Sequence, residues 1–249
     1  MSGHSKWHSI KHKKAAIDAK RGKIFNKIIR EITTAARIGG GDIESNPRLR
    51  LSVQKAKEVN MPADNIERAI KKGTGELEGV NFEEHIYEGY GPSGTAIMVA
   101  SITDNKNRTT SELRTIFSKN NGNLGENGCV SWMFTKKGII LVKKDNISED
   151  ELFTLIADAG AEDMKENDDG SFEITTDPDN FEKVKEKLEE KNIEIESSDI
   201  TMIPQNYVKV NDEKAAKQIA RLLMALDENE DVQHVYTNAD IPEEAFEGL

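Results

Sequence analysis

Residues 87–102 read YEGYGPSGTAIMVASI, and the rest of the chain is parsed from this stretch. Gly89 to Gly94 is a turn, because Gly supplies positive φ and Pro fixes its own φ near −65°. Thr95 to Ile102 is a short apolar run of the length and composition of a buried strand. Before Gly79 the apolar residues recur with a helical period, and after it they alternate or cluster in short runs. The chain is therefore helical first and α+β thereafter.

Three amphipathic segments precede the change. In residues 13–38, Ile17, Ile24, Phe25, Ile28, Ile29 and Ile32 fall on one side of a helix that Gly39-Gly40-Gly41 stops. Leu49, Val53, Ala56 and Val59 mark a second helix from Pro47, a residue suited to a first helical turn. A third is expected from Pro62 to Lys72, capped by Asn60 or Met61, with Ile66, Ala69 and Ile70 as its apolar face. Gly73 should end it in a left-handed conformation.

Downstream, the strand at 95–102 is followed by a helix from about Arg108 to Asn120 and a strand at Cys129 to Phe134, so residues 80–134 read β-α-β. The next run is complete in itself. It has a strand at Gly138–Lys143, a helix at Ser148–Ala159 with Ser148 and Glu151 placed for a capping box, and a strand at Glu162–Glu166. A turn at Asp168-Asp169-Gly170, a strand at Ser171–Thr175, a helix at Asp177–Glu190 and a strand at Ile193–Ile203 close a β-α-β-β-α-β unit. Tyr207–Val210, Glu213–Leu226 and Val232–Thr237 are again β-α-β. An unpaired half would leave open sheet edges, so this half should return to residues 80–134. The expected fold class is multidomain α and α+β: an N-terminal three-helix domain followed by two ferredoxin-like α+β domains, one inserted in the other. The expected domains are 1–79, then 80–134 plus 206–249, with 135–205 inserted.

Charge is distributed as unevenly as the fold. The 249 residues carry a formal net charge of −11, yet residues 1–75 hold 17 Lys and Arg against 7 Asp and Glu, a net +10 that leaves −21 for the remainder. A chain so polarised can offer one end to a polyanion while the other repels it. Lys6, Lys11, Lys13, Lys14, Lys20, Arg21, Lys23, Lys27 and Arg30 crowd the first thirty residues, with Trp7 among them. Lys20, Lys23, Lys27 and Arg30 fall on one stripe away from the isoleucines, a row of cations toward solvent that can neutralise several phosphates at once. Trp7 adds a flat surface for stacking on a base or sugar. A Lys-rich helix face is also a common solvated surface. Against that plain alternative stands the scarcity of acid: only Asp18 and Glu31 lie within residues 1–38. Phosphate contacts do not choose between DNA and RNA.

Asp104 to Thr110, DNKNRTT, joins the central strand to its helix. Asp104 and Asn107 can cap that helix, and Lys106 and Arg108 at its N-terminus can hold a phosphate or carboxylate. His4, His8 and His12 have a helical metal-ligand spacing but sit among lysines with no nearby carboxylate, so no metal is expected. Cys129, the single cysteine, reads as a small buried hydrophobe. There is no phosphate-cradling GxxxxGK[ST], no dinucleotide GxGxxG and no nucleophile paired with a base, so neither an enzyme nor a cofactor is expected. No apolar run approaches the roughly 20 residues that span a bilayer, and the N-terminus lacks a signal peptide's apolar stretch. The expectation is a cytoplasmic chain without a membrane partner.

Four separated segments in one order carry a resemblance over essentially the whole chain: GHSKWHSIKHKKAAIDAKRGKIFNKIIREI, PADNIERAIKKGTGE, YEGYGPSGTAIMVASITDNKNRTTSELR and GNLGENGCVSWMF. Together they resemble the YebC family, which includes the mitochondrial translational activator of cytochrome c oxidase. The resemblance implies a three-domain cytoplasmic protein without enzymatic activity. It implies either a DNA-binding transcriptional regulator or a ribosome-associated translation factor that binds RNA and relieves stalling at sequences such as proline runs. It carries nucleic-acid contact onto Lys6, Trp7, Lys11, Lys13, Lys14, Lys20, Arg21, Lys23 and Lys27, with a secondary contact at Asn107 and Arg108. Ser93 departs from the pattern, since many relatives carry glycine there. A protein-binding scaffold is the remaining alternative, and oligomeric state is left open.

Overall fold

The computed structural model describes residues 21–143, 147–167 and 170–247. The fold is multidomain, with a three-helix N-terminal part followed by two ferredoxin-like α+β domains, one inserted in the other. The described residues form two compact units, one of residues 132–207 and the other of residues 21–131 with 208–247.

The second of these units begins with α1 (Arg21–Gly39), α2 (Pro47–Glu58) and α3 (Ala63–Thr74). Their apolar stripes meet in a core of Ile32, Ala35, Ala36, Leu49, Val53, Ala56, Met61, Ile66 and Ala69. Asn46 joins two helix ends. Its side chain accepts from Leu49 N at 3.1 Å as the N-cap of α2, and its Nδ2 donates to the carbonyls of Ala35 at 2.9 Å and Gly40 at 2.8 Å at the end of α1. The third helix differs from its sequence reading. Met61 is buried in the core, and Pro62 is the N-cap without a side-chain bond. The helix passes through Gly73 to end at Gly75, whose φ is +83°. Gly73 serves packing instead: a Cβ there would lie 2.4 Å from the Thr33 carbonyl oxygen and 2.7 Å from the Ala36 Cβ, so α1 and α3 meet where one side chain is missing.

The first sheet has the order β3-β1-β2-β9, formed by β1 (Glu83–Tyr90), β2 (Ala96–Thr103), β3 (Asn123–Leu124) and β9 (Val232–Thr237). β1 and β2 are an antiparallel hairpin registering Glu83 with Thr103 and Tyr90 with Ala96. In its turn Ser93 takes φ +61° and Gly94 +69°. β9 pairs antiparallel with the other edge of β2. Helices α4 (Lys106–Lys119) and α7 (Glu213–Asp227) share a core with this sheet that includes Tyr87, Ile97, Val99, Leu113, Phe117, Ile219, Leu223 and Val235.

This connectivity is a ferredoxin-like sheet whose third strand comes first in the chain, as β1. Two strands expected from sequence are accordingly reassigned. The strand expected at Cys129–Phe134 does not form: residues 125–130 are a loop, Ser131–Met133 a single 3-10 turn, and strand pairing resumes only at Phe134. Tyr207 to Val210 contributes only β8 (Val208–Lys209), paired in parallel with β10 (Ala239–Asp240) outside the main sheet.

The unit 132–207 runs β4 (Phe134–Val142), α5 (Glu149–Ala159), β5 (Ala161–Glu166), β6 (Phe172–Thr176), α6 (Phe181–Glu190), β7 (Ile195–Pro204). Its sheet order is β5-β6-β4-β7, antiparallel throughout. Ser148 and Glu151 form the capping box that starts α5. Ile140, Val142, Leu152, Ile156, Phe172, Ile174, Phe181 and Leu188 fill the core. Of the turn read at Asp168-Asp169-Gly170, the first two residues lie outside the described residues, and Gly170 has φ +82°.

Candidate nucleic-acid interface

The basic helix α1 buries Ile32, Ala35 and Ala36, with Phe25, Ile28 and Ile29 packed at the margin, so its cationic side is aimed away from the three-helix core. That side does not run freely to solvent. Lys27 Nζ donates to the Asp227 carbonyl oxygen at 2.6 Å and lies 3.5 Å from the Asp227 carboxylate. Lys23 Nζ reaches the Glu228 carbonyl oxygen at 3.5 Å. Arg30 Nη1 donates to the Asp231 carboxylate, to the Glu230 carbonyl at 2.8 Å and to the Ile102 carbonyl at 3.2 Å, and its guanidinium lies 5.5 Å from the Phe82 ring centroid. The last turn of α7 holds no basic residue of its own, so Lys23 and Lys27 supply the cations that a helix C-terminus favours.

Of the other residues singled out by sequence, Lys6, Trp7, Lys11, Lys13, Lys14 and Lys20 lie outside the described residues, as do His4, His8 and His12. Arg21 begins α1. Asn107 is exposed in the first turn of α4. The cap of that helix is Asn105, accepting from Arg108 N at 3.0 Å, and not Asp104 or Asn107. Arg108 is bound within the chain: its Nη2 donates to Asp104 at 2.8 Å and to both Asp231 oxygens at 3.1 and 2.9 Å. Those bonds raise its pKa above the ordinary guanidinium value, Asp231 contributing most.

Asp231 is the centre that the sequence reading missed. With 3% of its side chain exposed, it accepts from Arg30, Arg108, Thr109 Oγ1 at 2.7 Å and Thr103 Oγ1 at 3.2 Å. Burial pushes its pKa up, but the bonds from Thr109, Arg108 and Arg30 outweigh it, so the carboxylate is held below the ordinary aspartate range. One acid thereby joins α1, the end of β2, the start of α4 and the approach to β9. Arg48 makes a second tie, with Nε 2.7 Å from Glu31 on α1 and Nη2 2.6 Å from Glu84 on β1.

Glu88 on β1 plays a comparable part for the GENGCVS loop. It is 5% exposed and accepts from the backbone N–H groups of Gly128 at 2.7 Å, Val130 at 2.8 Å and Ser131 at 2.7 Å. Burial raises its pKa, yet these three donors bring it below the usual carboxylate value. Cys129, in that loop, is half-buried and not a core residue; burial and the nearby Glu88 charge raise its thiol pKa. Among the described residues no group of His, Cys, Asp and Glu is arranged to hold a metal ion, and no helix is long and apolar enough to cross a membrane.

Residues 5–76 match the family described as TACO1/YebC protein N-terminal domain, and residues 82–239 match TACO1/YebC second and third domain. The chain belongs to the TACO1/YebC family. Similar members include one from Desulfosudis oleivorans, 59% identical over 247 residues, covering 99% of this chain and 100% of its own length. Another, from Persephonella marina, is 57% identical over 247 residues and 99% of each chain. Both are named "Probable transcriptional regulatory protein". A crystal structure of a conserved hypothetical protein from Aquifex aeolicus is similar, with a TM-score of 0.81 at 51% identity over 92% of this chain and 93% of that one. The break between the two family matches, at residues 77–81, falls between α3 and β1, where the helical part gives way to the first sheet.

Proposed function

We propose that the protein is a non-enzymatic, DNA-binding regulator of transcription acting in the cytoplasm, and that its basic N-terminal segment makes the contact. The observation that carries this reading is the charge split, +10 over residues 1–75 against −21 over the rest, which confines attraction for a polyanion to one end of the chain. The names of its relatives support the transcriptional assignment. Lys6, Lys11, Lys13, Lys14, Lys20, Arg21 and Lys23 are the phosphate contacts in this reading, with Trp7 stacking and Asn107 offering a secondary exposed contact. Lys27 and Arg108 join only by giving up carboxylate partners. On this reading 1–79 is the binding domain, and 80–134 with 206–249 and the inserted 135–205 are its acidic body.

Binding to the ribosome as a translation factor is the second reading. It is favoured by the −21 carried by residues 76–249, because a ribosome presents protein as well as RNA surfaces. Titration of the purified protein with duplex DNA, structured RNA and intact ribosomes across a salt series separates the two. Sequence-dependent duplex binding is the expected result. Selective ribosome binding with only weak, salt-sensitive DNA affinity would replace the transcriptional reading by the translational one.

A further inference from the structure

We propose that the acidic turn Asp227–Asp231 is an internal competitor for the basic helix, occupying Lys23 and Lys27 until a nucleic-acid backbone displaces it. The inference rests on the nucleic-acid reading above and adds a regulatory contact to it. Four of the five residues in the turn are acidic, and three of its backbone carbonyls, those of Asp227, Glu228 and Glu230, accept from α1. Carbonyl and carboxylate oxygens presented in succession to Lys23, Lys27 and Arg30 take up the N–H donors that consecutive phosphates would otherwise receive.

The contact has two layers. The inner one, Arg30 with Asp231, is nearly enclosed, with side-chain exposures of 15% and 3%. The outer one is more open at Lys23, which is exposed and whose contact spans 3.5 Å, and at Asp227, which keeps 26% of its side-chain surface; Lys27, at 17%, is about as enclosed as Arg30. The exposed Lys23 contact is weak in water, and the Lys27–Asp227 pair, at 3.5 Å and partly open to solvent through Asp227, is weakened by salt. A phosphate run that releases condensed counterions can replace them. Arg30 and Asp231 stay together during the exchange and keep α1 on the sheet, while Lys23 and Lys27 turn from internal acceptors to phosphate.

The test uses the full chain carrying Asp227→Asn with Glu228→Gln, which removes two charges beside the lysines and keeps the backbone carbonyls. A control with Glu243→Gln and Glu244→Gln removes the same net charge elsewhere in the same unit. Binding of a fluorescent 30-base-pair duplex and of a single-stranded RNA is read by anisotropy at one ionic strength. The turn variant should bind both about two- to tenfold more tightly than wild type, as expected for loss of one weak competing pair, Lys27 with Asp227, and of a second negative charge from the turn, and the control should change by less than about twofold. Equal affinities of wild type and turn variant, or an equal gain in the control, would overturn the latch and leave the nucleic-acid reading standing. Failure of every protein to bind either probe would overturn both.

Discussion

Replacing Asp231 by Ala tests the energetic account at its most enclosed point. The carboxylate is 3% exposed and accepts from two guanidinium groups and two hydroxyls, so its removal strands several donors at once. Arg108 has 41% of its side chain exposed and recovers part of the loss through water and Asp104. Thr103 and Thr109 bond one another at 2.8 Å, which limits their loss. Arg30 retains the carbonyls of Ile102 and Glu230 but loses its counter-charge in a site only 15% exposed. A buried pair broken on one side costs roughly 3–5 kcal/mol, and the solvent-accessible share of Arg108 places this case near the lower end, about 3 kcal/mol. Asp231→Asn preserves the shape and one acceptor and should cost about half as much.

Urea unfolding combined with amide exchange in β2 and β9 reads the loss where the network sits. The pH dependence follows from the direction of the shift. An acid whose folded pKa is depressed contributes stability that is complete above its unfolded value, about 4, and is lost as pH falls through the folded value. The advantage of wild type over Asp231→Asn should therefore be full at neutral pH and shrink in acid below about pH 4. A cost under about 1 kcal/mol for Asp231→Ala, or a wild-type advantage that grows in acid, would refute the reasoning.

Gly73→Ala adds a Cβ 2.4 Å from a backbone oxygen that cannot yield without moving α1; it should destabilise by about 2 kcal/mol in thermal or urea unfolding despite alanine's better helix propensity. Glu88→Gln turns an NH2 group toward backbone donors that now meet a carboxylate, so a loss of about 2 kcal/mol and faster exchange at Gly128, Val130 and Ser131 are expected. Ser93 occupies φ +61°, where glycine is unstrained, and Ser93→Gly should stabilise by roughly 0.5–1 kcal/mol in the same assay.

The helical part and the 132–207 unit were legible because their apolar residues repeat with the period of the element they form, and Ser148 and Glu151 announce a helix start in four residues. The misreadings share a cause. Gly73 looks like a helix terminator, but its role is set by Thr33 and Ala36 on another helix. β1, EEHIYEGY, has acidic residues among few apolar ones and shows little as a strand until paired with β2. Val130 and Phe134 are both buried, so the run between them resembles a strand although its backbone is loop and 3-10 turn. At the candidate site the accumulation of cations was plain. The partners of Lys27 and Arg30 were not, because Asp227 and Asp231 lie 200 and 201 residues away inside DENED, a run that reads as a solvated helix end. Nothing local distinguishes a buried acid there from its exposed neighbours.

The central claim, that the basic N-terminal segment carries nucleic-acid binding, is tested most directly by the salt dependence of duplex affinity for the full chain with Lys11, Lys13 and Lys14 all changed to Gln. The substitutions leave Lys27 and Arg30 in place together with their partners Asp227, Glu230 and Asp231. If each contacts a phosphate, the slope of log affinity against log salt should fall in magnitude by about 2 to 3, with a drop of at least about tenfold in affinity near 0.1 M salt. An unchanged slope and affinity would contradict the claim and move the contact away from this end of the chain.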